Sequence, residues 1–413
     1  MNSLPPPLSA EIIRRKKLII LFFGVILYFL TSMAKLLVPA IVYDDLIAVG
    51  LNAAEIAGTG AAFMYAYAAS QLLAGVFSNR YGGVRILLIG GGLFAAGTIG
   101  FPLTEFYWLM IFFRICTGLG AGTVFLGVVK LLSDLFSQRF AFALGVTMLF
   151  TYFGPVCGTT PMVLLTDAVG WQWSMMIPGI IAALSIGGIL LFSSGTIKPV
   201  QNGETLQPLK KMFANRAMWL INLTIPLLFG SYYVLSSQLG AKSLTDRCGI
   251  TAAHASTVIM ILTIIVALNN VLGNLLLKLC GNRSKVAVFI AFALSTAGAV
   301  TGYLAFSKVT SVILTTTAFI LIAVPAGWFP VFGNIAKELN PPEDTGLAVA
   351  LLNFWCFVFI ALFQNISGRI IQYFSPADAV SYPPEAYCGV FIFMALAGIC
   401  GMIAISFHKE SRK

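Results

Sequence analysis

Residues 14–42 read RRKKLIILFFGVILYFLTSMAKLLVPAIV, and this stretch decides the class of the protein. Four bases precede an apolar run that extends from Leu18 to Val42. A signal peptide has the same order of features, but its apolar region is only about 7–15 residues long. A helix that crosses a bilayer needs about 20 apolar residues. The stretch therefore predicts an uncleaved first membrane span.

The rest of the chain is also rich in apolar residues and poor in charged ones. Of its 413 residues 59% are hydrophobic and 10% are charged, and the mean hydropathy is +0.92. Soluble globular chains are about 45–50% apolar and about 25% charged, and disordered chains are less hydrophobic still. This composition excludes a soluble enzyme and a disordered chain. It predicts an all-α membrane protein with twelve spans, at about 18–42, 53–78, 84–103, 106–132, 141–166, 171–194, 217–240, 250–277, 286–306, 310–335, 346–372 and 386–407.

The basic residues predict the orientation of these spans. An even number of spans places both termini on one face, and 19 of the 25 Lys and Arg residues fall in the termini and connections of that face. The loops of the opposite face hold Lys242, Arg247 and Lys308. Because Lys and Arg collect in cytoplasmic loops, we expect cytoplasmic termini and a multi-pass protein of the cell (inner) membrane. The net charge of +10 then needs no nucleic-acid partner.

Two connections suggest an internal repeat. Gly75-Val-Phe-Ser-Asn-Arg-Tyr-Gly-Gly-Val-Arg85 joins spans two and three, and Gly273-Asn-Leu-Leu-Leu-Lys-Leu-Cys-Gly-Asn-Arg-Ser-Lys285 joins spans eight and nine. Short basic turns with glycine are also common on any cytoplasmic face, so part of the similarity is generic. Together with a long connection at 196–216, the repeat predicts two six-helix domains, 1–195 and 217–413.

The first connection is similar to a signature of the major facilitator superfamily. That signature is Gly, three residues, Asp, Arg, any residue, Gly, any residue and two bases; here its positions hold Gly75, Asn79, Arg80, Gly82 and Arg85. Arg114-Ile-Cys-Thr-Gly-Leu-Gly-Ala-Gly122 in span four and Arg139 before span five also resemble the family. Gly154-Pro155 resembles its antiporter signature in part. The resemblance covers the whole chain, and it implies two six-helix bundles that rock about a substrate site near the midplane.

Asn79 stands where the family has an acid, so the partner of the neighbouring bases is open. Asp134, at the end of span four, could supply the anion to Arg80 or Arg85, or it could pair with Lys130 one helical turn earlier. The resemblance gives this region a gating role. The predicted gating residues are Gly75, Asn79, Arg80, Gly82, Arg85, Asp134 and Arg139.

Lys35 is a base far along span one. With Tyr28, Thr31 and Ser32 it forms a polar stripe at three- and four-residue spacing, which should face a cavity rather than lipid. Lys35 either reaches the outer surface, near Asp44 and Asp45, or forms a cationic site for an anionic substrate.

Arg114 in span four has a similar pair of interpretations. The family resemblance implies a role in coupling or gating rather than direct substrate contact, and the alternative is that Arg114 bonds internally to carbonyls or Tyr hydroxyls. The middle of each predicted span lacks Asp and Glu, so an anionic ligand would supply the counter-charge that buried cations need. The predicted substrate-binding residues are Lys35, Tyr28, Thr31, Tyr67, Gln71, Arg114, Tyr152, Tyr233, Asn270, Trp328 and Asn353.

These features predict a secondary or exchange transporter, not an enzyme. The expected cargo is a small organic anion, either a carboxylate or a phosphate ester, and the chain loosely resembles the organic-anion and organophosphate carriers. A neutral-solute or multidrug antiporter and a transport-dead sensor are the alternatives. The sequence lacks a Walker motif, and we expect a monomer without metal or cofactor. Cys248 and Cys388 fall in predicted outer loops, which leaves a disulfide open.

Overall fold

The computed structural model describes residues 10–197, 216–281, 283–308, 310–341, 345–376 and 379–407. The side chains at 10, 73–80, 141, 216, 217, 274, 276, 337 and 345–347 are outside this description. Within these ranges the secondary structure is helical and contains no strand. The helices follow the twelve predicted spans, and each keeps the number of its span. Most of the predicted connection 196–216 lies beyond the described ranges.

The first half contains spans one to six. Their bounds are Ala10–Leu37, Ala53–Tyr81, Gly83–Gly100, Tyr107–Leu135, Phe140–Cys157 continued by Thr160–Val169, and Trp171–Phe192. A short helix, Tyr43–Ala48, follows span one. Span one therefore ends five residues before the predicted boundary at Val42, because the chain turns at Val38-Pro39 and proline cannot supply the next helical hydrogen bond.

The second half contains spans seven to twelve. Span seven is built from Arg216–Thr224, Pro226–Val234, a π-helical turn Leu235–Leu239 and Gly240–Cys248. The others are Ala252–Leu279, Ser284–Ser307, Val312–Ala326 continued by Phe329–Glu338, Thr345–Phe374 and Pro384–Ser406. Span seven extends eight residues past its predicted end at Gly240, and this extension carries Lys242 into a helix.

Among the described residues, ten helical spans are long and apolar enough to cross a membrane, and the bent pair of span five makes an eleventh. Span two, a helix of 29 residues, completes the set of twelve. Span five bends by 49° between its two helices, which flank Gly158 and Thr159. Pro161 and Pro330 lie in the first turn of the helices that follow the breaks in spans five and ten. Because proline lacks the N–H that would bond to the carbonyl four residues earlier, the helical ladder is interrupted just before each of them.

Span four lies at the centre of the first half. A Cβ atom at Gly118 would collide with the carbonyl oxygen of Phe63 in span two, and one at Gly120 would collide with the backbone of Phe94 in span three. These two glycines are 200° apart around the helix at 100° per residue, so they face different neighbours. Small residues at such positions let membrane helices approach closely.

The spans alternate between two faces of the molecule. The terminal face, as we name it, holds the start of span one and the end of span twelve. There Lys16 Nζ donates to the Ser194 carbonyl oxygen at 3.0 Å, and Lys285 Nζ to that of Ser406 at 2.6 Å. The repeated connections also lie here, and their glycines, Gly82 and Gly281, turn with φ of 76° and 65°.

The two halves meet at the opposite face. The Ala53 amide, at the start of span two, donates to Gln372 Oε1 near the end of span eleven at 3.1 Å. The hydroxyls of Thr160 and Thr257 join spans five and eight at 3.1 Å. The halves are therefore closed against each other on the opposite face.

Candidate functional site

A cavity of about 520 Å³ lies between the two halves. Spans one, two, four and five form one wall, and spans seven, eight, ten and eleven form the other. In span eleven, residues 349–360 line the cavity, whereas Gly368, nearer the opposite face, packs against span two. Because span eleven starts at the terminal face, the cavity lies toward that face and ends where the halves meet.

Lys35 lies on the cavity wall, in the last turn of span one. Its Nζ donates to Tyr67 Oη at 3.2 Å and lies 4.5 Å from the centroid of the same ring. The Phe357 ring of the second half is 5.4 Å from Nζ, and the two ring centroids are 4.3 Å apart. Aromatic faces attract a cation. They hold this ammonium at the cavity, and Asp44 forms its ion pair with Lys242 instead. Lys35 therefore does not extend to the outer surface.

The charge that the described lining residues give the cavity wall is positive only. Among the described residues that line it, Lys35 is the only Lys or Arg, and none is Asp or Glu. The other polar groups are neutral hydroxyls, amides and a thiol. A ligand that entered this cavity would meet one fixed positive charge in a largely aromatic surrounding.

The structure brings eight of the predicted substrate-binding residues to this wall: Tyr28, Lys35, Tyr67, Gln71, Tyr152, Tyr233, Asn270 and Asn353. Tyr28 Oη lies 3.5 Å from Met148 Sδ, and Gln71 Nε2 lies 3.5 Å from the Gly122 carbonyl oxygen. The two asparagines belong to the second half, in spans eight and eleven, whereas Lys35 and Gln71 belong to the first. The cation thus comes from one half of the molecule, and both halves contribute neutral amides.

Thr31 is a correction, because the structure places it outside the cavity wall. Its hydroxyl donates to the Tyr28 carbonyl oxygen at 2.9 Å, and the residue is 1% exposed. At 100° per residue, Lys35 lies 20° from Tyr28 around the helix, whereas Thr31 lies 60° away. Tyr28 and Lys35 of the predicted stripe therefore face the cavity, whereas Thr31, at the edge of the stripe, packs between helices.

Arg114 is a second correction, since it also lies away from the cavity. It is 4% exposed, and its Nε donates to the Thr59 carbonyl oxygen at 3.1 Å while Nη2 donates to that of Val38 at 3.4 Å. Its guanidinium carbon lies 4.7 Å from the Phe63 ring centroid. The last carbonyls of a helix lack intrahelical partners, and span one ends beside this arginine. Arg114 therefore bonds internally, which was the second of the two interpretations.

Trp328 is a third correction. It lies between the two helices of span ten, is 5% exposed and packs in an apolar cluster with Ile221, Phe332 and Leu352. Its Nε1 finds no hydrogen-bond partner among the described residues. Because the helix breaks at Gly327 and Trp328, the next residue, Phe329, faces the cavity instead.

The predicted gating residues lie on the terminal face as far as the structure describes them. Gly82, Arg85 and Asp134 surround one small cleft together with Lys17. Asp134 forms an ion pair with Lys130 at 3.7 Å, which is one of the pairings that the sequence left open. Arg139 is exposed at the end of a turn between spans four and five. The side chains of Asn79 and Arg80, and the surroundings of Gly75, are outside the description.

Most of the aromatic wall was not predicted from the sequence. Phe125, Phe229, Phe329 and Phe357 line the cavity, as does Tyr232. Phenylalanines in apolar helices give no pattern that separates a cavity face from a lipid face. Cys248 and Cys388 are free thiols with separate neighbours, Thr315 and the Tyr303 carbonyl. In the described part of the chain, no group of three His, Cys, Asp or Glu side chains could hold a metal ion.

Comparison with known proteins identifies the family. The family model described as Major Facilitator Superfamily matches residues 20–364, which is most of the chain. The protein belongs to the major facilitator superfamily. Members of this superfamily are membrane transporters of small molecules.

Relatives match shorter segments. The chain is 31% identical over 117 residues to the "Uncharacterized MFS-type transporter Rv1250" of Mycobacterium tuberculosis, a segment that covers 27% of this chain and 20% of that protein. It is 24% identical over 146 residues to the "Probable sulfoacetate transporter SauU" of Cupriavidus necator, a segment that covers 35% of this chain and 33% of that protein. It is 30% identical over 122 residues to human "Monocarboxylate transporter 14", a segment that covers 28% of this chain and 23% of that protein. The chain thus matches a fifth to a third of the length of these relatives.

Solved structures share the fold over nearly the whole chain. A bacterial homologue of the human lysosomal transporter Spinster, in an inward-facing and unoccupied conformation, superposes with a TM-score of 0.74 at 14% identity and covers 97% of each chain. The nucleoside transporter NupG superposes with a TM-score of 0.73 at 12% identity, covering 96% of this chain and 100% of that one. At these identities the similarity concerns the fold alone.

Proposed function

We propose that this superfamily transporter carries a small organic monoanion, a carboxylate or sulfonate with an apolar body, by alternating access. The observation that supports this most is Lys35 on the wall of the central cavity, where the described lining residues supply no acid to neutralise it. A charge in a low-dielectric site needs a partner. An anionic ligand is the partner that this site lacks.

The number of cations favours a single negative charge on the cargo. A dianion, such as a dicarboxylate or a phosphate ester, would bring a second charge to a wall that offers Lys35 alone among the described residues. Uncompensated burial of that charge would oppose binding. The names of two relatives, a sulfoacetate and a monocarboxylate transporter, are in keeping with an organic acid as cargo.

The aromatic surface determines where the body of the ligand would lie. Tyr67 and Phe357 flank the ammonium, and Phe229 and Tyr233 belong to the opposite wall. Asn270 and Asn353 also line the cavity and would hydrogen-bond to polar groups of the ligand. The volume of about 520 Å³ falls within the range of about 300–1,000 Å³ that is usual for small-molecule sites.

The same aromatic lining supports a second candidate function, export of neutral or drug-like solutes. Binding of uncharged compounds would need only the apolar wall and the amides. The two functions differ in whether the ligand must carry a negative charge, so a charge-matched pair of ligands separates them.

We expect organic acids, and not their uncharged amides, to bind the purified protein. Pairs such as phenylacetate with phenylacetamide, and hexanoate with hexanamide, keep the shape and change the charge. At a concentration of 100 times its dissociation constant, a ligand stabilises the folded state by about 2.7 kcal/mol, which a thermal unfolding assay detects. A sulfonate, a dicarboxylate and a phosphate ester complete the panel. Equal stabilisation by acid and amide would favour the neutral-solute function.

We further propose that the protein acts as a monomer in the cell membrane with both termini cytoplasmic. One chain contains both walls of the cavity, which supports the monomer. A cysteine introduced at Gly203, in the connection between the halves, should react with an impermeant maleimide only after the cells are permeabilised. Glu105→Cys, in the exposed loop between spans three and four, is the matched control and should react in intact cells. The reverse pattern would invert the topology.

A further inference from the structure

One lysine joins the two halves at the opposite face. Lys242 Nζ in span seven lies 2.6 Å from Asp44 Oδ1, in the short helix after span one, and 2.9 Å from Asp246 Oδ1 one turn along its own helix. It also donates to the Val380 carbonyl oxygen at 2.6 Å. The side chains of Lys242 and Asp246 are 5% exposed, whereas that of Asp44 is 62% exposed. The lysine thus has one buried and one exposed counter-ion.

Asp246 is fully bonded within the second half. Its Oδ2 accepts from the Tyr382 amide at 3.0 Å and from Tyr387 Oη at 2.7 Å. Tyr382 Oη donates across the interface to Tyr43 Oη at 3.4 Å. These bonds hold Asp246 in place whether or not the first half is in contact.

We propose that the Asp44–Lys242 contact is a latch, which keeps the opposite face closed and separates each time the transporter opens there. When the halves part, Lys242 keeps Asp246 as its counter-ion, so no buried charge is left unpaired. Asp44 returns to water, which already surrounds most of its side chain. The opening therefore avoids the large penalty of breaking a buried ion pair.

The latch is distinct from the predicted gating residues. Those residues lie on the terminal face, around Gly82 and Arg85, whereas the latch lies at the other end of the same transport path. It depends on alternating access, which the family implies, and not on the identity of the cargo. Its test therefore needs no substrate, and the result stands whether or not the anion proposal holds.

The test measures how often the opposite face opens. Ser256, 2% exposed, lines a cleft between the halves together with Asp44 and Lys242. Ser256→Cys, in a chain whose seven native cysteines are replaced, reports opening through its rate of reaction with an impermeant maleimide. We expect Asp44→Asn to raise this rate about threefold to tenfold, because one charge-assisted contact of the closed state is lost.

Asp45→Asn is the matched control. It removes the same charge from the next residue of the same helix, and the structure gives Asp45 no ion pair with Lys242. Its labelling rate should equal that of the parent chain. An unchanged rate in Asp44→Asn, or an equal increase in Asp45→Asn, would overturn the latch.

A second comparison tests the unequal roles of the two acids. Lys242→Gln should lower the thermal unfolding temperature because it leaves Asp246 buried without its cation. The neutral pair Lys242→Gln with Asp246→Asn should recover stability and still label as fast as Asp44→Asn. If the neutral pair labels at the parent rate, Lys242 does not hold the face closed.

Discussion

Replacing Lys35 by alanine is expected to abolish most of the affinity for the transported anion. The substitution removes the only fixed cation among the described residues of the cavity wall. A hydrogen bond to a charged group contributes about 1.5–3 kcal/mol, and loss of a desolvated partner costs more. We expect the dissociation constant to rise about 30-fold to 1,000-fold, which corresponds to about 2–4 kcal/mol. Isothermal titration with the best acid of the ligand panel measures it.

Two further variants control this experiment. Lys35→Arg keeps the charge, but its planar guanidinium does not replace a point charge beside two aromatic rings, so affinity should be partly retained and selectivity altered. Thr31→Ala changes a buried residue on the same helix, one turn away and outside the cavity, and should bind as the parent does. Parent-like binding of the anion by Lys35→Ala would leave the anion proposal without its main support.

Replacing Arg114 by methionine is expected to lower the stability of the protein and to leave ligand affinity unchanged. The guanidinium bonds the carbonyl oxygens of Thr59 and Val38 from a buried position. Removing it leaves the Val38 oxygen, at the end of span one, without this donor. Loss of such a buried partner costs about 1–3 kcal/mol. The unfolding temperature should fall accordingly, and the dissociation constant of the folded fraction should not change.

Arg369→Met is the matched control for Arg114→Met. Arg369 is exposed near the end of span eleven, so the same substitution there should leave both the unfolding temperature and the affinity as they were. Arg114→Lys should fall between the two because an ammonium lacks the fork that reaches two separate carbonyls. A loss of affinity in Arg114→Met at constant stability would return Arg114 to the substrate site.

The structural positions of Arg114 and Lys35 show how far sequence patterns could predict the site. Both bases were listed as candidates for the substrate site, with a structural role left open for each, because charged residues are costly within a membrane span. Because of that cost each base must have partners, but the sequence does not identify which groups those partners are. Helix carbonyls meet the requirement for Arg114, and an aromatic pair beside a cavity meets it for Lys35. The choice depends on which neighbouring helix each base faces.

The latch was missed for a related reason. Lys242 and Asp246 are four residues apart, a spacing that suggests an ion pair on one helix, but the predicted span seven ended at Gly240. The extension of that helix to Cys248 buries both side chains. Asp44 is almost 200 residues away in the chain, and only the closure of the two halves places it beside Lys242.

The sequence by itself determined the class of the protein, the number and order of its membrane spans and the family that it resembles. Apolar runs of spanning length and the turn motifs at Gly82 and Gly281 carry that information locally, because a helix in lipid must satisfy its own backbone. Tertiary structure alone decided which side chains share the cavity. Thr31 and Lys35 lie on one polar stripe, and Trp328 and Phe329 are adjacent, yet only Lys35 and Phe329 face the cavity. A rotation of 40° about the helix axis separates Thr31 from Lys35, and the break in span ten separates Trp328 from Phe329. The packing of the neighbouring helices fixes that rotation.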